Sequence, residues 1–509
     1  LPHGTPGPTQ GMSGFTARNL GALTPGDVAG DKPALIFRSG GARRVVTYAE
    51  FDALADAAGR GLLRRGLVRG DRLGLLGANS VEFLALLCGA MRVGVVAVPV
   101  NWRFPPETIA YVLGNAEVSL VAHDAALAAQ VPGGIPTLPL EGPDWHGFLD
   151  AGALDPITPG LAEPALFLYT SGSTGKPKGV VLSHQSHLWI VEQRLAAAPQ
   201  REERFLIAAP LYHMNGLALA QLALAAGATI VLLPQFREAD YIRAIGEERC
   251  TWLTAVPPMF AMLLREKALL AETDTTSVRS IRLGSAPVSE ALAAAIKAAF
   301  PTARLINAYG TTEAGPVVFG PHPKGLPTPQ LSVGYPLPVV ELRLRAPDGT
   351  LGDEGVLEQR TPGLMNGYYN RPDLKPPVTA DGFYVTGDVM RRDADGFFYV
   401  VGRADDMFIS GGENIFPGEV EAVLERHPEV EQAAVIPVPD DIKGTKPVAF
   451  VVRRPGATVD EATLKAFTLR HAPAFMHPRR VWFLDALPLA GTNKVDKAIL
   501  QQKAAEISA

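Results

Sequence analysis

Residues 170–179 read TSGSTGKPKG, which places three glycines, four hydroxyl side chains and two lysines between two short apolar runs. A loop of this composition lets backbone N–H groups, hydroxyls and ammonium groups converge on a polyphosphate. The run before it, 165–169, reads as a buried strand. The run after it, 180–182, reads as a second strand that passes through Ser183 into a helix from about His184. The expected unit is therefore a strand–loop–strand flap. A Walker A loop needs G-x-x-x-x-G-K-[ST] on a strand–loop–helix unit. Here Thr170 stands at the first glycine position, and Pro177 follows Gly175–Lys176. Taken alone, the segment also reads as a flexible linker, so the rest of the chain has to decide.

Further segments follow in order: AYGTTEAG at 308–315, YVTGD at 384–388, GRADDMFISGGENIFPGEVE at 402–421 and TNKVDK at 492–497. As an ordered set spanning nearly the whole chain, they resemble the adenylate-forming superfamily: acyl- and aryl-CoA ligases, nonribosomal adenylation domains and beetle luciferases. The acyl- or aryl-CoA ligase branch fits best.

The length of 509 residues is too great for one ordinary core. Strands alternate with helices from about 33 to 123, and again at 218–233, 252–264 and 281–299. That alternation predicts α/β layers with parallel sheets. Residues 124–163, rich in Pro, Gly and Asp, read as a surface connection. After about 330, short β-like segments with Gly and Asp turns predict a β-rich subdomain. Beyond 403–406 a compact α+β unit follows. The fold class expected is α/β. Residues 1–404 would form a large N-terminal adenylation domain completed by the β-rich part. Residues 405–509 would form a small mobile α+β domain.

With 47% hydrophobic and 19% charged residues and a net charge of −5, the chain has no basic footprint for nucleic acid. No apolar run reaches the ~20 residues of a membrane span. Residues 1–11 lack the apolar stretch of a signal peptide, and Met12 is the expected start. The two cysteines, Cys88 and Cys250, read as buried inert thiols and support neither a disulfide framework nor a zinc site. A cytoplasmic enzyme is expected.

The resemblance implies ATP, Mg²⁺ and coenzyme A as cofactors. It assigns the pyrophosphate grip to Thr170, Ser171, Gly172, Ser173, Thr174, Gly175 and Lys178. Glycines permit close approach there, and cations offset the leaving group's charge. Tyr309, Gly310, Thr311 and Thr312 would sit under the adenine and α-phosphate, with Glu313 at Mg²⁺. Asp388 would accept both ribose hydroxyls, and Arg403 would reach the ribose or phosphates. Lys494 matches the catalytic lysine that bridges the carboxylate and α-phosphate. Asp405 matches the hinge, and Gly411, Gly412 and Asn414 match the loop that shapes a pantetheine tunnel.

For the acid, the resemblance points to His213, Met214, Asn215, Val256, Pro257, Ser285, Ala286, Ala308, Gly310 and Gly315, with His213 gating the pocket. Most of these are small or apolar, which favours an uncharged acyl body. Asn307–Ala308 stand where malonate-type ligases place an arginine. No aspartate stands in 212–217 to hold a substrate ammonium group. The implied activity is ATP-dependent carboxylic acid:CoA ligation through an acyl-AMP, on an aryl, cyclic or medium-chain monocarboxylic acid. A stand-alone enzyme that loads a carrier-protein phosphopantetheine thiol is the alternative, and a non-catalytic nucleotide-binding scaffold is a third reading. A homodimer is left open. The chain departs from the family pattern at 440–445 and 471–478, where contacts to the nucleotide end of CoA would fall.

Overall fold

In the computed structural model, the described residues are 17–170, 176–286, 288–410, 413–440, 442–490 and 494–508. Two seven-stranded sheets dominate. The first runs, in spatial order, Arg304–Ala308, Ser280–Gly284, Trp252–Ala255, Arg204–Ile207, Thr229–Leu232, Pro33–Ser39 and Ala42–Thr47. It is parallel except for the last pair, which is a hairpin. The second runs Gly367–Tyr368, Lys178–Ser183, Pro164–Thr170, Val96–Val100, Arg72–Leu76, Leu120–His123 and Thr137–Pro139. Its strands are near-continuous apolar runs because helices cover both faces. The largest apolar cluster takes residues from both sheets and from the helices between them, including Phe51, Leu84, Phe205 and Leu217.

The expected flap is present. Pro164–Thr170 pairs antiparallel with Lys178–Ser183, from Pro164 opposite Ser183 to Thr170 opposite Lys178. Ser183 then caps the helix His184–Ala197, its hydroxyl accepting from the Ser186 N–H at 3.0 Å. Both large sheets thus obey the α/β pattern expected from the alternating segments.

A five-stranded antiparallel sheet follows: Leu351–Gly352, Glu341–Arg345, Glu354–Arg360, Tyr384–Arg392 and Phe398–Arg403 in spatial order. The next strand, Phe408–Ser410, belongs instead to the terminal sheet built around Val430–Asp440 and Gly444–Arg453. The helices Pro417–Glu425 and Glu461–His471 pack on that sheet, with Val420, Leu424 and Leu464 in one cluster with the strand residues Val435, Ala449 and Val451.

One expectation is corrected. Residues 124–163 are not merely a surface connection. Thr137–Pro139 adds a parallel strand beside Leu120–His123, and Gly142–Phe148 is helical. Trp145 and Phe148 stack at 5.6 Å between ring centroids and are buried in the main core. Two aromatic side chains outweigh the Pro- and Gly-rich composition around them. Both cysteines are buried and free, as expected. Burial pushes the Cys88 thiol up to about 12. Among the described residues, no helix is long and apolar enough to cross a membrane.

Replacing Trp145 with Ala should therefore cost about 3–5 kcal/mol of stability, measured by denaturant unfolding. A loss within about 0.5 kcal/mol, as for a surface site, would return the segment to a mere connection.

Candidate active site

In the first sheet, the strands Trp252–Ala255, Ser280–Gly284 and Arg304–Ala308 run parallel, so their carboxyl ends open on the same side. Ligands of open α/β sheets bind in the crevice beyond such ends. Here the crevice is a cavity of about 1780 Å³. Its walls include Thr170 and Lys178 from the flap and Met214 and Asn215 from the start of a helix. Pro257, Ser285, Ala286 and Ala308–Glu313 line it from the strand ends, Asp388 and Arg403 from the β-rich sheet, and Lys494 from the terminal region. Residues that lie more than three hundred positions apart in sequence, such as Thr170 and Lys494, thus line one cavity.

Tyr309 and Gly310 follow the edge strand. A Cβ on Gly310 would lie 2.3 Å from the Pro316 backbone, so only glycine fits. The turn beyond it is closed by two backbone hydrogen bonds between Thr311 and Gly315, at 2.9 and 3.1 Å. Thr311 Oγ1 accepts from the Ala314 N–H at 3.0 Å and from Gln359 at 3.1 Å, so this side chain also fastens the turn. Glu313 is buried, and Lys178 Nζ lies 3.5 Å from its carboxylate. The same ammonium group donates to the Tyr368 hydroxyl at 2.8 Å. Thr170 Oγ1 is buried and has no partner among the described residues.

Tyr309 donates its hydroxyl to Asp388. Burial, reinforced by the Asp388 charge, drives the tyrosine well above its usual pKa. Asp388 is itself raised by burial, against the pull of Tyr309 and Arg403. Arg403 Nη1 reaches Asp388 at 3.2 Å, and its Nε and Nη2 grip Asp405 at 2.8 and 2.9 Å. The Asp405 carboxyl is held below its usual range by that guanidinium.

Lys494 is fixed by its backbone: its carbonyl accepts from the Ala490 N–H at 2.7 Å, beside a bridge between Leu489 and Val495. It stays accessible to solvent inside the cavity. Crowding by the walls lowers its pKa from the usual 10.5, with Asp388 opposing the shift and Arg403 adding to it.

Other expected residues sit differently. Ser171, Gly172, Ser173, Thr174, Gly175, Gly411 and Gly412 lie outside the described residues, as does the side chain of Asn414. Among the described residues, His213, Val256 and Gly315 do not line the cavity. His213 stands at the cap of the helix Met214–Ala226, and its ring packs edge-on against Tyr212 at 4.7 Å. Burial, then the charges of Lys494 and Arg103, pull it down to about 4, so it is neutral at pH 7. Val256 is buried behind Pro257, and Gly315 serves the turn rather than the wall. The sequence reading missed Arg194 and Arg282, which line the cavity beside Asn215. No motif contains them, and only folding brings the helix bearing Arg194 to the strand bearing Arg282.

Comparison with known proteins bears on this arrangement. Residues 26–369 match the sequence profile described as AMP-binding enzyme, and residues 419–494 match that of the AMP-binding enzyme C-terminal domain. The feruloyl-CoA synthase of an Amycolatopsis species is 34% identical over 92% of this chain and 96% of that protein. The ATP-bound crystal structure of MatB from Rhodopseudomonas palustris is 30% identical, with a TM-score of 0.85 over 97% of this chain and 100% of that one. The o-succinylbenzoate CoA synthetase MenE of Bacillus subtilis, bound to its acyl-adenylate intermediate OSB-AMP, is 27% identical. Its TM-score is 0.79 over 93% of this chain and 95% of that one.

The opposing effects of Asp388 and Arg403 on Lys494 can be separated. In lysine-selective NMR titration, Lys494 should lose its proton below the usual 10.5. Asp388→Asn should lower that pKa further, and Arg403→Gln should raise it. A titration at or above the free-lysine value would contradict the crowding by the cavity walls.

Proposed function

The chain belongs to the AMP-binding enzyme family, and from that membership we propose an ATP-dependent carboxylic acid:CoA ligase that works through an acyl-AMP. The observation that carries the reading is the convergence of Lys178, Glu313, Asp388 and Lys494 on one cavity that also has an apolar acyl wall at Met214 and Ala308. In the first half-reaction a carboxylate oxygen of the acid attacks the α-phosphorus of ATP, and pyrophosphate leaves. In the second, the CoA thiolate attacks the acyl carbon, and AMP leaves. Such transfers depend mainly on positioning and on neutralising charge.

The geometry supports a role for each of these groups. Lys178, with the loop 170–175, offsets charge on the departing pyrophosphate. Asp388 accepts the ribose hydroxyls, exchanging its bond from Tyr309 for theirs. Tyr309 and Gly310 give the adenine a flat, close surface. Lys494 meets the charge that builds between the carboxylate and the α-phosphorus. Mg²⁺ fits this corner, because Glu313 and the unpartnered Thr170 hydroxyl are hard oxygen donors. They would hold it together with phosphate oxygens, and the bound ion would neutralise phosphate charge. His213, neutral and outside the cavity lining, buttresses the start of the helix that bears Met214 and Asn215.

Residues 1–404 and 405–509 act as two domains, with Asp405 at the hinge. Rotation of the smaller domain withdraws Lys494 and presents the loop 410–414 to the thiol. The activated acid has an aryl, cyclic or medium-chain body. Relatives named for feruloyl-CoA and o-succinylbenzoate support the aryl class. They also support CoA over a carrier protein as acceptor.

Lys494→Ala tests this assignment. Acyl-AMP formation should fall by about 10²–10³, while ATP affinity and thioester formation from pre-made acyl-AMP persist. A variant with full adenylation activity would remove Lys494 from the chemistry.

A further inference from the structure

The acyl side of the cavity holds two cations that the adenylation chemistry does not use. Arg282 projects from the strand Ser280–Gly284, and Arg194 from the last turn of the helix His184–Ala197. Both line the cavity. Arg282 is only 9% exposed, and its Nη1 donates to Asn215 Oδ1 at 2.8 Å. That oxygen also accepts from Thr254 Oγ1 at 3.3 Å. Asn215 Nδ2 is buried and has no partner among the described residues. Arg194 lies over the Trp252 ring, 5.6 Å from its centroid.

Among the described residues, neither guanidinium makes an ion pair. Arg92, which among the described residues is as buried as Arg282, is treated differently: 4% exposed, it is paired with both Asp52 and Asp56. A buried cation without a counter-ion is costly. Burial, and for Arg282 the neighbouring charge of Arg194, pull Arg282 down to about 9 and Arg194 to about 10. Both stay charged at neutral pH. Two cations and a free amide donor therefore face an otherwise apolar part of the cavity, and no carboxylate answers them.

We propose that Arg194, Arg282 and Asn215 recognise a second anionic oxygen group on the acid substrate, a carboxylate or sulfonate remote from the carboxylate that is adenylated. The proposal rests on the ligase reading above and narrows it. Guanidinium groups bind such oxygens in a bidentate way, and in a low-dielectric cavity that pairing is strong. Asn215 Nδ2 supplies a further donor, while its oxygen keeps Arg282 aimed. This departs from the monocarboxylate expected from Asn307–Ala308. That pair shows only that no cation precedes Tyr309, whereas these cations arrive from a different strand and helix.

Pyrophosphate release at saturating ATP tests the proposal on matched acids: benzoate against terephthalate and para-sulfobenzoate, cinnamate against para-carboxycinnamate, and hexanoate against adipate. At least one dianionic acid should exceed its monoanionic partner in kcat/KM by about tenfold or more. The sulfonate arm separates that group from a carboxylate. Arg282→Met should erase the preference, read as the ratio of kcat/KM between the two acids of a pair, and Arg282→Lys should restore part of it. A merely structural role would depress both acids together. If the monoanionic acid is preferred in every pair, or if Arg282→Met leaves the ratio unchanged, the proposal falls while the ligase reading stands. If no acid of either kind releases pyrophosphate although ATP binds, the ligase reading falls, and this proposal with it.

Discussion

A line of four side chains, Tyr309–Asp388–Arg403–Asp405, ties the molecule together at its working end. Tyr309 follows an edge strand of the first large sheet, Asp388 and Arg403 lie opposite each other on paired strands of the β-rich sheet, and Asp405 follows the last of these strands. One polar chain therefore ties the lining of the cavity to the segment that leads into the terminal unit. Its members are mutually dependent. Asp388 is costly to bury alone, and it is compensated by a hydroxyl donor on one side and a guanidinium on the other. Arg403 is shared between Asp388 and Asp405, so any rotation about 405 must break or carry along a bidentate pair. A ribose diol competing for Asp388 would act on the same chain, and would thereby couple nucleotide binding to the hinge proposed at Asp405.

The cavity walls sort charge by chemistry. Cations at Lys178 and Lys494 face the region where phosphate and carboxylate oxygens would meet. Glu313 and Lys178 both line the cavity and lie 3.5 Å apart, so the carboxylate partly balances the ammonium group. Arg194 and Arg282 lie on the acyl side and have no such balance. In enclosed space the attraction of these groups for anions is several times that in open water. Arg92, by contrast, is buried away from the cavity and is neutralised by two aspartates.

Much of this was legible in the sequence. The apolar runs around 170–179 predicted a strand–loop–strand flap, and Ser183 with the residues after it predicted a capped helix. Both depend on local pattern, which sequence carries directly. Motif residues such as Gly310, Glu313, Asp388 and Lys494 were legible because their chemistry is tied to short segments. The helix and strand within 124–163 were not, since Trp145 and Phe148 act through contacts with the core rather than through composition. Arg194 and Arg282 were invisible for the same reason. Each looks like an ordinary charge on its own element, and only the packing of helix against sheet places them on one wall. His213 carried a motif position, and it stands at the cap of the helix that bears Met214 and Asn215, packed edge-on against Tyr212.

The central claim is that one cavity makes an acyl-AMP before any thiol is involved. The most direct measurement is acid-dependent exchange of labelled pyrophosphate into ATP in the absence of CoA. The account predicts exchange that requires the acid and stops when it is omitted, followed by AMP and thioester once CoA is added. Absence of exchange, with ADP and phosphate formed instead, would mean attack at the γ-phosphorus and would contradict it.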